Sequence, residues 1–305
     1  MILFNGATGS LGRYFLPAFE RAGLKAYSLQ ARLEDVGALN AELDALSSKD
    51  QDADITFIPL AAKVSVPACE KDSNAAFQTN VIDLLATVRT VWGWARSRER
   101  RLRLLYVSTG HVYAKADEGT RLAESHSTKP RSVYAATKLE AENRLRELVT
   151  TSRGLSLTIA RVFGLIAPQQ PDSYVLPGLV RRAASGDSGP LPGLHNVRDY
   201  LDSRDVATHV IGLLQLPWGE GDARLLNVCS GEATSIRDLL ALVLSAAGRD
   251  ALLPEFTEAP GRRDDVPYMV GDPSALLQLT KTPARFTPLQ QTAVEAWRLR
   301  AGGTR

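Results

Sequence analysis

Along the first two-thirds of the chain, short apolar runs alternate with segments whose apolar residues recur every three or four positions. Residues 2–5, 24–29, 55–60, 104–108 and 155–162 are short apolar runs of the kind that buried strands show. Residues 11–22, 36–46, 75–96 and 133–151 carry the period of amphipathic helices instead. Strands alternating with helices predict βαβ units, and so an α/β fold on a doubly wound parallel sheet. Past residue 165 the texture changes. Residues 167–171 and 186–193 are rich in Pro, Gly and polar side chains, as loops are. Tyr200-Leu201 is strand-like, 206–214 helix-like, and 225–229 is apolar enough to return to the sheet. Residues 235–247 form an amphipathic pattern with Ser235 at the N-cap position. These patterns divide the chain into a sheet domain at 1–164, with returns to the sheet near 200–229, and a smaller, partly interleaved C-terminal lobe at 165–305.

Composition narrows the classes. With 305 residues, 44% hydrophobic and 23% charged, the chain has ample material for a core. A net charge of +2 is too small to draw nucleic acid or an anionic membrane. Arginine outnumbers lysine 28 to 8, which suits bidentate phosphate contacts, although most arginines simply face water. The two cysteines, Cys69 and Cys229, have neither CxxC nor Cys/His ligand spacing, so neither a disulfide framework nor a metal site is expected. With no leader pattern at residue 1 and no apolar run near the roughly 20 residues of a membrane span, a cytoplasmic protein is expected.

Gly6-Ala-Thr8-Gly9-Ser10-Leu11-Gly12 follows the opening strand and begins a helix. In that context glycines permit a tight turn, close backbone approach and close helix–strand packing, while helix N–H groups face a pyrophosphate. This predicts a Rossmann-type dinucleotide site. The second strand ends in Leu29-Gln30-Ala31-Arg32, with no carboxylate before Glu34. An acidic residue there would favour NAD, whereas Arg32 suits the 2′-phosphate of NADP, so NADPH is preferred.

Tyr134-Ala-Ala-Thr-Lys138 lies in a helical pattern, which puts tyrosine and lysine on one face, a turn apart. An ammonium there favours phenolate, holds a cofactor ribose, and lets the phenol exchange a proton with a carbinol or carbonyl oxygen. Upstream, the strand 104–108 ends in Ser108-Thr109 and is followed by Gly110-His111-Val112-Tyr113, where a parallel sheet presents residues to its ligand.

On these motifs the chain resembles the extended short-chain dehydrogenase/reductases, the NAD-dependent epimerase/dehydratase family. The resemblance implies Thr109 as a substrate-polarising hydroxyl, Tyr134 as acid/base and Lys138 as its modulator. It places Leu60-Ala61-Ala62 beside the cofactor and makes Asn80 a positioning residue. Asn196-Val-Arg198-Asp199-Tyr200-Leu201 and Arg262-Arg263-Asp264-Asp265-Val266-Pro267 are similar to the segments by which nucleotide-sugar enzymes hold a diphosphate. Arg198, Arg262 and Asp265 become candidate substrate contacts.

Three departures narrow the family. Gly110-His111 replaces the Asp-Glu pair of 4,6-dehydratases, which removes the acid and base of dehydration. The adenine-contacting strand of UDP-galactose 4-epimerases has no counterpart, so the layout resembles dTDP-4-dehydrorhamnose reductases and related sugar 4-ketoreductases. Gly164 stands where many relatives carry a substrate-contacting asparagine. The implied activity is NAD(P)H-dependent reduction of a nucleotide-linked keto-sugar at C4 of a 6-deoxyhexose. A 4-epimerase holding NAD is the first alternative, and a non-catalytic dinucleotide sensor the second. The family also implies a homodimer through helices 75–96 and 133–151, with Trp92, Leu139 and Leu145 facing either the partner or the sheet.

Overall fold

A computed structural model describes residues 1–47, 54–260, 265–281 and 286–301. Its centre is a six-stranded sheet in the order 223–228, 155–162, 102–109, 55–58, 2–4, 26–28. The ladders joining Ile2–Phe4 to Ala26–Ser28 and to Ile55–Ile58, and Ile55–Ile58 to Leu102–Thr109, are parallel. The expected α/β, Rossmann-like fold is the one found.

Side-chain alternation along the strands sorts the helices onto two faces. Leu3, Phe57, Leu104 and Tyr106 enter one core with Leu39 and Leu43, with Val88, Val91 and Trp94, and with Ala141, Leu145 and Val149. These come from the helices Val36–Leu46, Leu84–Arg96 and Val133–Thr151. Phe4 points the other way and meets Phe19 of the helix Gly12–Arg21 edge-on, with ring centroids 5.9 Å apart. Leu145 is therefore sheet core and unavailable to a partner. Trp92 is half-buried against the same core and donates from Nε1 to the Arg153 carbonyl at 3.2 Å.

The helix expected over 75–96 is segmented. It runs as Ser73–Phe77, a π-helical stretch Gln78–Asp83, and Leu84–Arg96. The π stretch contains the buried Asn80. At the other side of the sheet, Arg103 is fully buried and donates to the carbonyls of Leu213, Leu214 and Leu216, at 2.5, 3.0 and 3.3 Å. It thus supplies donors to carbonyls at and just past the end of the helix Ser203–Leu214.

The chain forms two compact units: Met1–Val112, Pro130–Arg161 and Val210–Leu226 in one, Tyr113–Lys129, Val162–His209 and Asn227–Arg305 in the other. A boundary at 164 misses the excursion at 113–129, a short loop-rich stretch with no periodicity to mark its destination. The second unit has its own core, in which Leu176, Leu179 and Val180 meet Leu239, Leu240, Val243 and Leu244, and Ala293 and Ala296. Ser235 caps its helix Ile236–Ala246 in a reciprocal capping box with Asp238.

Candidate functional site

The glycine-rich turn is closed by its own backbone. Gly9 N–H donates to the Gly6 carbonyl at 3.0 Å, and Gly6 takes a φ of +67°, which favours glycine. A Cβ on Gly12 would lie 2.1 Å from the Gly6 oxygen, and one on Gly6 would lie 2.8 Å from the Ala61 nitrogen. No side chain caps the N-terminus of the helix Gly12–Arg21, whose N-cap is Leu11. Thr8 and Gly9 are exposed, Ser10 and Leu11 half-buried. A tight turn bounded by an uncapped helix N-terminus fits the pyrophosphate of a dinucleotide.

Two residues that sequence patterns did not single out build this cradle. Buried Asn5 accepts at Oδ1 from the backbone N–H groups of Leu60, at 2.8 Å, and Ala61, at 2.9 Å. It ties the ends of the first and third strands and fixes Leu60-Ala61 beside Gly6. Ala62 follows, half-buried. Arg13 folds back onto the turn, its Nε donating to Gly9 O at 3.2 Å and its Nη2 to Thr8 O at 3.0 Å. An asparagine before the turn and an arginine after it were the only sequence signals.

At the second strand's end, Arg32 is 84% exposed and 3.8 Å from Glu34. A carboxylate does reach this strand end, but from the next helix. Glu42 Oε2 accepts from the Gln30 N–H at 2.8 Å. Twelve residues separate the two, so the segment 29–32 alone could not reveal it.

Tyr134 and Lys138 sit in the first turns of the helix Val133–Thr151, whose N-cap Ser132 accepts from the Ala135 N–H. Glu70 Oε1 accepts from the Val133 N–H at 2.7 Å. Asn80 donates from Nδ2 to the Lys63 carbonyl at 2.9 Å and to Thr137 Oγ1 at 3.0 Å, and accepts from the Lys63 N–H at 2.8 Å. Thr137 in turn donates to the Tyr134 carbonyl at 2.8 Å. The π-helical stretch thus braces the turn between tyrosine and lysine.

Lys138 is buried, its Nζ 2.6 Å from the Val107 carbonyl and 4.2 Å from the centroid of the Tyr106 ring. Burial pulls its ammonium down to about 7, against an opposing pull from the Glu142 charge. Burial likewise pushes the Tyr106 phenol well above its ordinary value. Thr109 ends the strand Leu102–Thr109, and its Oγ1 accepts from the His111 N–H at 3.3 Å. That bond caps the short 3-10 turn Gly110–Val112 and leaves the hydroxyl proton to be directed elsewhere.

In the second unit Arg198 and Asp265 are brought together. Arg198 Nη2 lies 2.7 Å from Asp265 Oδ1, and Asn196 Nδ2 lies 2.5 Å from Asp265 Oδ2. Asp265 is thus shared between the Arg198 guanidinium and the Asn196 amide. Arg262 lies outside the described residues. Asp199, next to Arg198, is wholly buried and accepts from the Ser230 N–H and Oγ and from the N–H groups of Gly231 and Gly271. Burial raises its carboxyl, against those hydrogen bonds. It anchors the strand that carries Arg198. Gly164 is explained by space, since a Cβ there would lie 2.6 Å from the Asp199 carbonyl. Among the described residues no cluster suits a metal ion, and no helix is long and apolar enough to cross a membrane.

The model of the NAD dependent epimerase/dehydratase family matches residues 2–229. A GDP-6-deoxy-D-mannose reductase from Pseudomonas aeruginosa is 30% identical over 213 residues, 68% of this chain and 67% of that protein. A GDP-6-deoxy-D-talose 4-dehydrogenase from Aggregatibacter actinomycetemcomitans is 23% identical over 98% of this chain and 97% of its own. Among solved structures, RMD from Pseudomonas aeruginosa complexed with NADPH superposes with a TM-score of 0.80 at 25% identity, covering 97% of each chain. UDP-glucose 4-epimerase from Thermus thermophilus in complex with NAD gives 0.81 at 23%, covering 97% of this chain and 98% of that one.

Proposed function

Because this chain belongs to the NAD dependent epimerase/dehydratase family, we propose that it reduces the C4 ketone of a nucleotide-linked 6-deoxyhexose with NADPH. The observation that carries this is a family tyrosine–lysine pair on one braced helix, beside a strand that ends in Thr109. The Pseudomonas relative, a GDP-6-deoxy-D-mannose reductase, makes GDP-linked 4-keto sugars the first substrates to test.

The bound nicotinamide supplies the hydride. Gly6, Thr8, Gly9, Ser10, Leu11 and Gly12 form the cradle for the pyrophosphate, with donors from the helix N-terminus, and Leu60-Ala61-Ala62 line its flank. Thr109 Oγ and the Tyr134 hydroxyl donate to the ketone oxygen, and Tyr134 passes its proton to the forming carbinol. Lys138, as ammonium, favours the resulting phenolate. Arg198, oriented by Asp265, and Arg262 bind the diphosphate by charge-assisted hydrogen bonds. Arg32, exposed at the second strand's end, meets the 2′-phosphate. The protein acts in the cytoplasm, consistent with two buried free thiols, and as a homodimer, supported by the exposed Phe77 and Ile82 on the 73–96 helical run.

A second reading, a 4-epimerase with tightly held NAD, is favoured by Glu42, whose carboxylate at the second strand's end suits an unphosphorylated ribose. A screen of nucleotide 4-keto-sugars against NADPH and NADH, followed optically at the nicotinamide band, separates the two. Stoichiometric NADPH oxidation supports the reductase. Cofactor retained through purification, with interconversion of 4-hydroxyl epimers and no net oxidation, overturns it.

A further inference from the structure

Behind Lys138 lies a buried ion pair that the proposed proton transfer does not use. Glu142 is one helical turn beyond Lys138 on the same face and is 1% exposed. Arg161, on the strand Leu155–Val162, grips it bidentately, Nε to Oε1 at 3.0 Å and Nη2 to Oε2 at 2.6 Å. Ser108 Oγ donates to Glu142 Oε1 at 2.5 Å. Both ions are nearly inaccessible, with side chains 5% and 1% exposed. A buried pair of this kind adds little net stability over apolar residues of the same volume, so its presence at this point asks for another reason.

The surroundings of Lys138 supply one. Its ammonium contacts one carbonyl oxygen, of Val107, and one ring face, of Tyr106. Tyr106 and Ser108 are alternate residues of one strand and so share the face turned to this helix. The titratable groups near Lys138 are Tyr134 and Glu142 on its own helix and Tyr106 on the strand Leu102–Thr109, with Arg161 behind Glu142 on the neighbouring strand. Glu70, on the helix Val66–Lys71, is turned to the Val133 N–H, and His111 lies in the 3-10 turn Gly110–Val112. Of these, Glu142 alone opposes the effect of burial on the ammonium.

We propose that Glu142, clamped by Ser108 and Arg161, is a positioning residue for Lys138, the fixed counter-charge that keeps a desolvated ammonium charged and seated between the Val107 carbonyl and the Tyr106 ring. Ser108 and Arg161 hold the carboxylate still, so that it acts through space rather than collapsing onto Lys138 as a direct ion pair. The ammonium keeps N–H donors for other partners. The proposal rests on the reading of Lys138 as the cation beside cofactor and phenol, but its test does not.

The test uses the whole protein labelled with ε-13C lysine, whose eight lysines give few signals. The Lys138 signal is assigned by its loss in Lys138→Arg. We expect it to titrate well below the ordinary lysine value of 10.5. In Glu142→Gln its midpoint should fall further, by about one pH unit, because a charge that favours the ammonium has gone. Should that variant fold poorly with Arg161 left unpaired, the double variant E142Q/R161Q removes both charges and predicts a fall in the same direction. Glu142→Asp, which keeps the charge, should restore at least half of the loss. A midpoint unmoved in both Gln variants overturns the proposal and leaves the cluster a structural clamp. The pH profile of turnover then speaks to the proposed function separately. If the Lys138 midpoint falls while the profile stays put, the positioning role stands and the catalytic role of Lys138 does not.

Discussion

Replacing Gly12 by alanine tests the cofactor cradle more sharply than removing any side chain would. The added Cβ would stand 2.1 Å from the Gly6 oxygen, 2.8 Å from its carbonyl carbon and 2.9 Å from Ala7 Cα, all backbone atoms that no rotamer change can move aside. Ordinary carbon–oxygen contact needs more than a further ångström, so the turn and the helix must part by about that much. A shift of that size takes backbone donors out of hydrogen-bond range of a pyrophosphate. Two lost charge-assisted bonds at about 1.5–3 kcal/mol each give about 3–6 kcal/mol, a weakening of the dinucleotide of at least about a hundredfold. Gly93 provides the control. It lies exposed inside the helix Leu84–Arg96, and a Cβ there meets nothing within 4 Å. Gly93→Ala should raise stability by about 0.5–1 kcal/mol through helix propensity and leave cofactor binding alone. Titration of NADPH by fluorescence or calorimetry, with urea unfolding of each variant, gives both numbers. A Gly12→Ala protein that folds normally and binds within threefold of wild type would refute the cradle.

Tyr134→Phe should cost at least about a hundredfold in turnover with cofactor affinity nearly intact, read from kcat and a separate cofactor titration. Arg32→Ala should weaken NADPH far more than NADH, and Glu42→Gln should do the reverse; equal effects on both cofactors would retire either residue as the selector. Arg198→Ala should raise KM for the nucleotide sugar with little change in cofactor Kd, while a keto-sugar without the nucleotide stays insensitive. Burial holds the His209 imidazole down to about 4 from its ordinary 6.5, so its contribution to stability is full above about pH 6.5 and is lost as pH falls towards 4. Between pH 7 and 5 that amounts to about 2 kcal/mol, and His209→Leu should remove this part of the slope in urea unfolding.

What the sequence revealed and what it hid divide along sequence distance. The strands, the helix 133–151 and the Ser235 cap are written in local period and local chemistry, and they stand within a residue or two of where the patterns put them. The same holds for the glycine turn and for a tyrosine four residues before a lysine. The parts that hold those residues in place are pairings between distant positions: Asn5 with Leu60 and Ala61, Asn80 with Lys63 and Thr137, Ser108 with Glu142, and Glu142 with Arg161. A lone Glu or Arg on an amphipathic helix or strand end carries no mark of its partner. The split of the long helix at its π stretch was hidden for a related reason, since one extra residue in a turn barely disturbs the apolar period.

The threading of the chain bears on how the protein must be made. The strand Ala223–Val228 closes one edge of the central sheet beside Leu155–Val162, yet it follows a stretch, 162–209, that belongs to the other unit. A nascent chain that has emerged only to residue 164 therefore exposes the Leu155–Val162 strand, apolar along its length, with one row of backbone donors and acceptors unpaired. Such an edge is a template for pairing with another chain. Translation has to run some sixty residues further before the native neighbour is available, about 3–12 s at ordinary bacterial and eukaryotic rates. Cutting the chain at the apparent end of its first domain would make that interval permanent, and the fragment should accumulate as aggregate rather than as a small dinucleotide-binding protein.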